Sequence, residues 1–126
     1  MTSIAHYSLL TMRPDPERID MLCVGSVVVA DNKWTVLTPG ADKLDLLGYT
    51  EASSRLGAMI ASLHALLEDC DTLADARNML TEVRSTLTLH AFEGVFAFDT
   101  EDEFARQVQA ITNESITVSR TIQTHP

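Results

Sequence analysis

Between Tyr7 and Val29 the sequence places two apolar runs on either side of a short charged segment, and this arrangement constrains the fold more than any other feature. Residues 5–12 alternate weakly between apolar and polar side chains, whereas residues 21–30 form a nearly continuous apolar run, typical of a buried central strand. Asp31 and Asn32 both tolerate positive φ and predict a tight turn into a third strand over residues 33–38. The sequence therefore predicts a three-stranded antiparallel meander.

Helical periodicity replaces this pattern from Thr50 onward, where apolar residues recur three and four positions apart up to residue 67. Thr72 and Asp75 resemble a capping box with the shorter acid, which predicts the start of a second amphipathic helix. The apolar positions assigned to that second helix are Leu73, Ala76, Leu80, Val83 and Leu87.

Residues 87–89 and 94–98 are typical of one or two further strands. Thr100 and Glu103 then form a full capping-box pattern that predicts a third helix, and the remaining Thr- and Ser-rich tail is predicted either to add an edge strand at 115–122 or to fray. The expected fold is a single α+β domain over residues 1–126, with an antiparallel sheet of three to five strands. Two amphipathic helices pack on one face of the sheet, the third helix lies near the C-terminus, and the last dozen residues are those expected to fray.

The formal net charge of −9 is concentrated in the second half of the chain. Residues 1–64 carry five basic and seven acidic residues, whereas residues 65–126 carry four and eleven. Such a surface repels phosphate backbones, so direct nucleic-acid binding is disfavoured. The acidic excess is consistent with three roles, namely solubility alone, attraction of a basic partner, and occupation of a nucleic-acid groove as a mimic.

The two cysteines, Cys23 and Cys70, stand in different predicted elements without CxxC spacing, and free thiols are expected from them. No apolar run is long enough to cross a bilayer, and residues 1–6 lack the basic start and apolar middle of a signal peptide. We therefore expect a cytoplasmic protein without membrane association.

Unlike charges crowd together in the first loop and beside it, at Arg13, Asp15, Glu17, Arg18 and Asp20. The planar fork of the Arg18 guanidinium would suit a phosphate or a carboxylate. The alternative is a solvated loop in which these charges neutralise one another and fix the exit of the first strand.

The sequence predicts no metal site, no cofactor and no catalytic residue. Its four histidines are scattered without HxxxH or HxH spacing, and no GxSxG, glycine-rich phosphate loop or HExxH occurs. Glu101, Asp102 and Glu103 are interpreted as helix caps and solvated surface, because consecutive helix positions point in different directions. The same three acids are candidates for a contact surface with a partner.

The segment from Tyr7 to Val29 resembles the N-terminal signature of a group of small bacterial proteins known as domain of unknown function 3037. The likeness lies in Tyr7-Ser8, in Pro14-Asp15-Pro16, in Arg18 and Asp20, and in the hydrophobic strand that begins at Val24-Gly25. The family's Arg-Tyr pair is replaced by Thr11-Met12, and its Asn before Val-Gly is replaced by Cys23. The resemblance implies an α+β domain and, because some such genes lie beside kinases similar to HipA, a protein partner. It implies no activity.

These observations favour a non-catalytic, protein-binding accessory or regulatory protein of bacterial, phage or mobile-element origin. Its expected contact surfaces are the first three strands with the 13–20 loop, and the acidic second half of the chain. One alternative is an acidic mimic that inhibits a host complex binding DNA or RNA. Another is a small phosphoester-handling enzyme that uses Arg18 with Asp15 or Asp20. The sequence leaves open a homodimer formed by pairing of edge strands.

Overall fold

A computed structural model describes residues 2–13, 22–38, 48, 50–83, 86–91 and 93–124, with the backbone alone at 50, 52, 53 and 114–124. The first three strands are β1 (Ser3–Met12), β2 (Leu22–Ala30) and β3 (Lys33–Leu37), which pair as an antiparallel meander. Asp31 and Asn32 form the turn between β2 and β3 with φ values of 50° and 63°. The predicted meander and its turn are both confirmed.

The opposite edge of β1 pairs with two short strands that follow each other in the chain. β4 (Leu87–Leu89) pairs with the end of β1 and β5 (Gly94–Phe98) pairs with its start, both antiparallel. The break between them is bridged at the carbonyl of His90, which accepts hydrogen bonds from Ser8 Oγ at 2.6 Å and from Arg77 Nη2 at 2.9 Å. The described part of the chain thus forms one five-stranded sheet in which β2 is interior and β5 is at an edge.

Three helices complete the described fold: α1 (Thr50–Leu67), α2 (Leu73–Glu82) and α3 (Glu101–Thr124). The predicted α+β architecture, with an antiparallel sheet of three to five strands, is therefore confirmed.

Helices α1 and α2 cover one face of the sheet, which we call the α1–α2 face. Even-numbered β1 residues, such as Leu10 and Met12, contribute to a core cluster with buried residues of both helices. The other buried members of that cluster are Leu22, Val24, Val27, Leu56, Leu63, Leu67, Cys70, Leu73, Ala76, Leu80, Leu87 and Leu89. Two amphipathic helices on one face were predicted from the three-and-four spacing, and this arrangement is confirmed.

Helix α3 packs on the opposite face, which we call the α3 face. Its buried residue Val108 contacts a second cluster formed by Ala5, Val28 and Ala30. Phe104 stacks at a tilt on two β5 aromatic rings, with centroid distances of 5.9 and 4.9 Å. Because helices cover both faces, the side chains of β2 are buried in both directions, which explains its continuous apolar sequence.

Gly25 stands where β2 carries a β-bulge and where β3 passes very close. Leu10 pairs with Gly25 but Thr11 pairs with Cys23, so Val24 is the extra residue on β2. A Cβ at position 25 would collide with the backbone carbonyl of Leu37. A glycine inside a strand often marks a β-bulge or a close approach of another backbone, and Gly25 is at both.

Both predicted threonine caps form, and in each the acid also bonds back, but to the N–H of the residue before the N-cap and not to that of the N-cap itself. The Thr100 hydroxyl accepts the Glu103 N–H at 3.1 Å, and Glu103 Oε2 accepts the N–H of Asp99 at 3.0 Å. In the shorter version, the Thr72 hydroxyl accepts the Asp75 N–H at 3.1 Å, and Asp75 Oδ2 accepts the Asp71 N–H at 3.4 Å. The longer bond is consistent with the shorter reach of aspartate.

Two details of the prediction are wrong. The edge strand expected at 115–122 is absent, because α3 continues as a helix to Thr124. β-Branched residues lower helix propensity by only a few tenths of a kcal/mol, whereas a helix that has begun gains a hydrogen bond with each added residue. Val83 and Leu87 also do not belong to α2, which ends at Glu82: Val83 is its exposed C-cap, and Leu87 is buried in β4.

Candidate functional site

One end of the sheet gathers several elements that are distant in sequence, and we call it the hairpin end. It contains the β2–β3 turn, the start of β1 and the end of β5, because the register places Ser3 opposite Phe98 and His6 opposite Val29. The connection between α1 and α2 reaches the same end, where Trp34 Nε1 donates to the carbonyl of Cys70 at 3.3 Å.

Nine acidic residues of the described part of the chain lie at the hairpin end. Eight of them are exposed, and the ninth, Glu103, is half-buried by its capping role. Their basic neighbours in the described chain are Lys33 and Arg106, and Arg106 Nε donates at 3.5 Å to the carbonyl of Asp102. The acids come from the turn, the α1–α2 connection, the start of α2 and the start of α3: Asp31, Glu68, Asp69, Asp71, Asp75, Asp99, Glu101, Asp102 and Glu103.

An apolar patch lies on the sheet at this acidic end. It consists of Ile4, Val95 and Ala97, which share the α1–α2 face because Ile4 pairs with Ala97 and Val95 pairs with His6. The α1–α2 pair does not cover them: Ile4 is 49% exposed and Val95 is 58% exposed. Larger apolar patches rimmed by polar residues mark protein contacts, and this patch is a small one with a charged rim.

The patch is continuous with a polar cavity across the sheet. Val95, His6, Val29 and Trp34 are cross-strand neighbours on four successive strands. Val29 and Trp34 also line a cavity of about 420 Å³ under the C-terminal end of α1. The other residues that line it are Asn32, His64, Glu68, Cys70 and Asp71. The cavity extends the accessible surface from the edge strand β5 to the β2–β3 turn.

Cys70 lines this cavity, but its thiol is not activated as a nucleophile. Its thiol is buried and contacts the carbonyl of Leu66 at 3.4 Å and Met79 Sδ at 3.2 Å. Burial raises the pKa of the Cys70 thiol, and the negative charges of Asp75, Asp69 and Asp71 raise it further. A raised pKa keeps the sulfur protonated and therefore unreactive near neutrality. Neither Cys23 nor Cys70 forms a disulfide, as predicted.

The described members of the predicted contact residues lie at opposite ends of the sheet. Arg13 is exposed beyond the end of β1, where its N–H donates to the carbonyl of Thr86 at 3.2 Å. Glu101, Asp102 and Glu103 form the first turn of α3 at the hairpin end, and Glu103 caps that helix. At about 3.3 Å per strand residue, the two groups are separated by about 30 Å along β1. Asp15, Glu17, Arg18 and Asp20 lie outside the described residues.

Two further cavities lie away from the hairpin end. A groove of about 220 Å³ runs between α1 and α2 and includes Met59, Leu66 and Val83 in its lining. A larger cavity of about 480 Å³ lies on the α3 face between β3 and α3, with Leu37, Phe104 and Val108 as its apolar lining. Its size falls within the range of small-molecule pockets. The described residues that line it carry no ionised side chain.

Among the described residues, no group of three or more His, Cys, Asp or Glu side chains is arranged to hold a metal ion. Within the same residues, no helix has the length and apolar character needed to cross a membrane.

Sequence reasoning missed the apolar patch. Residues 94–98 are apolar at nearly every position, which predicts a strand buried on both faces, and Ile4 precedes the region that was predicted as a strand. No local signal shows that α1 and α2 leave the start of β1 uncovered, because that depends on how far the helices extend over the sheet.

A scan against models of known protein families gives no match, and searches of curated proteins and of solved structures find none either. The likeness of residues 7–29 to domain of unknown function 3037 therefore stays a prediction. The functional argument depends on the geometry of the chain itself.

Proposed function

We propose that this chain is a non-catalytic, protein-binding accessory or regulatory protein that holds its partner at the hairpin end. The observation that carries the proposal is the exposed apolar patch of Ile4, Val95 and Ala97 amid exposed carboxylates. Apolar side chains that remain exposed on a sheet have little hydration to give up, so contact with a partner gains the free energy of burial against the cost of ordering them. The surrounding charges would add specificity and accelerate association.

A bacterial, phage or mobile-element origin and a cytoplasmic site of action belong to the same proposal. Support for a reducing compartment comes from Cys23 and Cys70, which are both buried and unbridged.

The test is affinity purification of the tagged full-length protein from its native host, with a patch variant and a matched control. Ile4→Ser combined with Val95→Ser removes the patch without changing the net charge. Val83→Ser is the control, because Val83 is 62% exposed, close to the 58% of Val95, but lies at the C-cap of α2. We expect the wild type and the control to recover a stoichiometric partner, and the patch variant to recover at least tenfold less.

Circular dichroism and the urea unfolding midpoint would establish that all three proteins are equally folded. The proposal is wrong if the wild type recovers no stoichiometric partner, or if the patch variant retains the partner as well as the control does.

The clustering of nine acids at one end also favours a second candidate, the acidic nucleic-acid mimic. A mimic acts through its carboxylates, so it would tolerate the Ser variants of Ile4 and Val95. Neutralising exposed acids that cap no helix, such as Glu68→Gln, Asp69→Asn and Glu101→Gln together, would then abolish inhibition of a DNA- or RNA-binding complex. The same experiments therefore separate the two functions.

A further inference from the structure

The edge strand β5 (Gly94–Phe98) carries no charged residue, and neither does the three-residue strand β4 beside it. The only strand partner of β5 in the described chain is β1. Edge strands usually carry a charge, a proline or a bulge that prevents pairing with another chain. The opposite edge strand, β3, has such a charge at Lys33, which is exposed.

Both faces of β5 offer apolar contacts. Val95 and Ala97 are exposed on the α1–α2 face, and Phe96 and Phe98 remain half-buried on the α3 face although Phe104 stacks on them. A strand added outside β5 would therefore bury apolar surface on both sides of the sheet. Main-chain hydrogen bonds would supply affinity and the alternating side chains would supply specificity.

Acidic residues stand at both ends of β5. Glu93 precedes the strand, and Asp99 follows it together with Glu101 and Asp102 of α3. Glu93 Oε1 lies 3.4 Å from Arg77 Nη2, and Asp99 Oδ1 accepts a hydrogen bond from Thr2 at 2.7 Å. Among the described residues, the carboxylates at the Asp99 end have no such basic partner, and Arg106 donates to the backbone carbonyl of Asp102. A partner strand with basic residues at its ends would complement this charge.

A second copy of the chain fits this edge poorly. If two β5 strands paired antiparallel over all five residues, the pairing would be centred on Phe96 and would place Glu93 opposite Asp99 of the other copy. Like charges directly opposite each other destabilise an antiparallel pair. The contact would also bring together two hairpin ends, each rich in exposed carboxylates, in a protein of net charge −9.

We propose that the partner contributes an extended segment, apolar in its middle and basic at its ends, which adds to the outer edge of β5 as a sixth strand. This inference rests on the proposed protein-binding function and specifies its mode. It predicts that the partner's backbone, and not only its side chains, is recognised.

The probe is a synthetic peptide with the core Val-Thr-Val-Thr-Val and two lysines at each end. Two controls share that core: one replaces the lysines by glutamates, and the other methylates alternate backbone nitrogens so that one edge of the peptide cannot donate hydrogen bonds. Binding to the full-length protein is measured by fluorescence anisotropy at physiological salt. Amide hydrogen exchange followed by NMR reports which backbone N–H groups become protected.

We expect the lysine peptide to protect amides within Gly94–Phe98, and both control peptides to bind at least tenfold more weakly. Val95→Ser should weaken binding of the lysine peptide severalfold, whereas Val83→Ser should leave it unchanged. Equal binding of the N-methylated and unmodified peptides would overturn the inference, because attraction between charges alone would explain the binding. Absence of binding at millimolar peptide, or protection confined to residues outside β5, would also overturn it.

Sedimentation velocity of the protein alone tests whether β5 pairs with β5 of a second copy of the chain. A dimer that dissociates on the Val95→Ser change would show that β5 pairs with itself and would overturn the inference. If the native partner is lost with the patch variant but the lysine peptide leaves β5 unprotected, strand addition fails while the protein-binding function stands.

Discussion

The two faces of the sheet are packed by different kinds of side chain. On the α1–α2 face, fourteen buried residues of the described strands and helices form one cluster that is almost wholly aliphatic. On the α3 face, the described residues form a cluster of only four buried apolar side chains of small or medium size, and partly exposed aromatic rings surround it. The α3 face also contains a buried pair of hydroxyl groups, Ser26 and Thr112, with their oxygens 2.6 Å apart. We therefore expect the larger aliphatic cluster to contribute more to stability than the smaller cluster on the α3 face, which holds one helix against the sheet.

The hydroxyl pair has a definite hydrogen-bond direction. Thr112 Oγ1 donates to the carbonyl of Val108 at 2.6 Å, and a hydroxyl has only one hydrogen to donate. Ser26 must therefore be the donor to Thr112. This polar contact aligns α3 on the interior strand β2, where an aliphatic contact alone would permit sliding.

The largest expected effect is a loss of free energy of unfolding, and it is tested by substituting one residue from each face. Leu63→Ala removes a fully buried side chain of α1 and should lower the free energy of unfolding by about 3.5 kcal/mol. Phe104→Ala removes a larger but half-buried ring and should cost about 2 kcal/mol. Urea unfolding followed by circular dichroism measures both. Equal losses would contradict the unequal contribution of the two faces.

Adjacent valines of β2 give a better-matched comparison. Val27 faces α1 and α2, Val28 faces α3, and their exposures are 0% and 1%. We expect Val27→Ala to cost about 2.5 kcal/mol and Val28→Ala about 1.5 kcal/mol, because the partly exposed rings on the α3 face can relax into the space. The same unfolding experiment applies. A larger loss at Val28 would reverse the comparison.

The hydroxyl pair should contribute a smaller amount. Thr112→Val removes the acceptor of Ser26 and should cost about 1.5 kcal/mol, because a buried donor then loses its partner. Ser26→Ala in the same protein removes that donor, so the double variant should be less destabilised than the sum of the two single variants. Additive losses would show that the contact does not couple α3 to β2.

The smallest effect concerns Cys70, on the aliphatic face. Burial, followed by Asp75, Asp69 and Asp71, raises the pKa of its thiol in the folded protein. Its contribution to stability is therefore complete below the unfolded-state pKa, about 8.5, and is lost as pH rises through the higher folded value. Between pH 7 and pH 9.5 the wild type should lose more stability than Cys70→Ala, which has no thiol to ionise. Parallel losses measured by urea unfolding would contradict this assignment.

Local patterns predicted much of the fold. The Asp31-Asn32 turn, the threonine caps at Thr72 and Thr100 and the apolar face of α1 all depend on residues within four positions of one another. The same reasoning failed at the tail, where β-branched residues indicated a strand although the preceding helix continues through them. It also assigned Leu87 to α2, because a residue four positions beyond Val83 fits a helical face as well as it fits the start of a strand.

The candidate site was predictable only in part. The acids at 101–103 were recognised as caps and as a possible contact surface, and the structure adds acids from the β2–β3 turn and from the α1–α2 connection to the same end. Arg13 was grouped with the other contact residues, but about 30 Å separates it from the acids of α3. Proximity across a sheet depends on strand register, which no single stretch of sequence specifies.

The sequence alone determined the kinds of element, their order and most of their boundaries, because turns, caps and amphipathic faces arise from interactions between near neighbours. Only the tertiary structure decided that α3 lies opposite α1 and α2, that β5 forms an uncharged edge, and that Ile4 and Val95 remain exposed among carboxylates. Those features depend on which surfaces the packed helices cover. Coverage is a property of the whole fold, since each helix buries surface that belongs to strands far away in the chain.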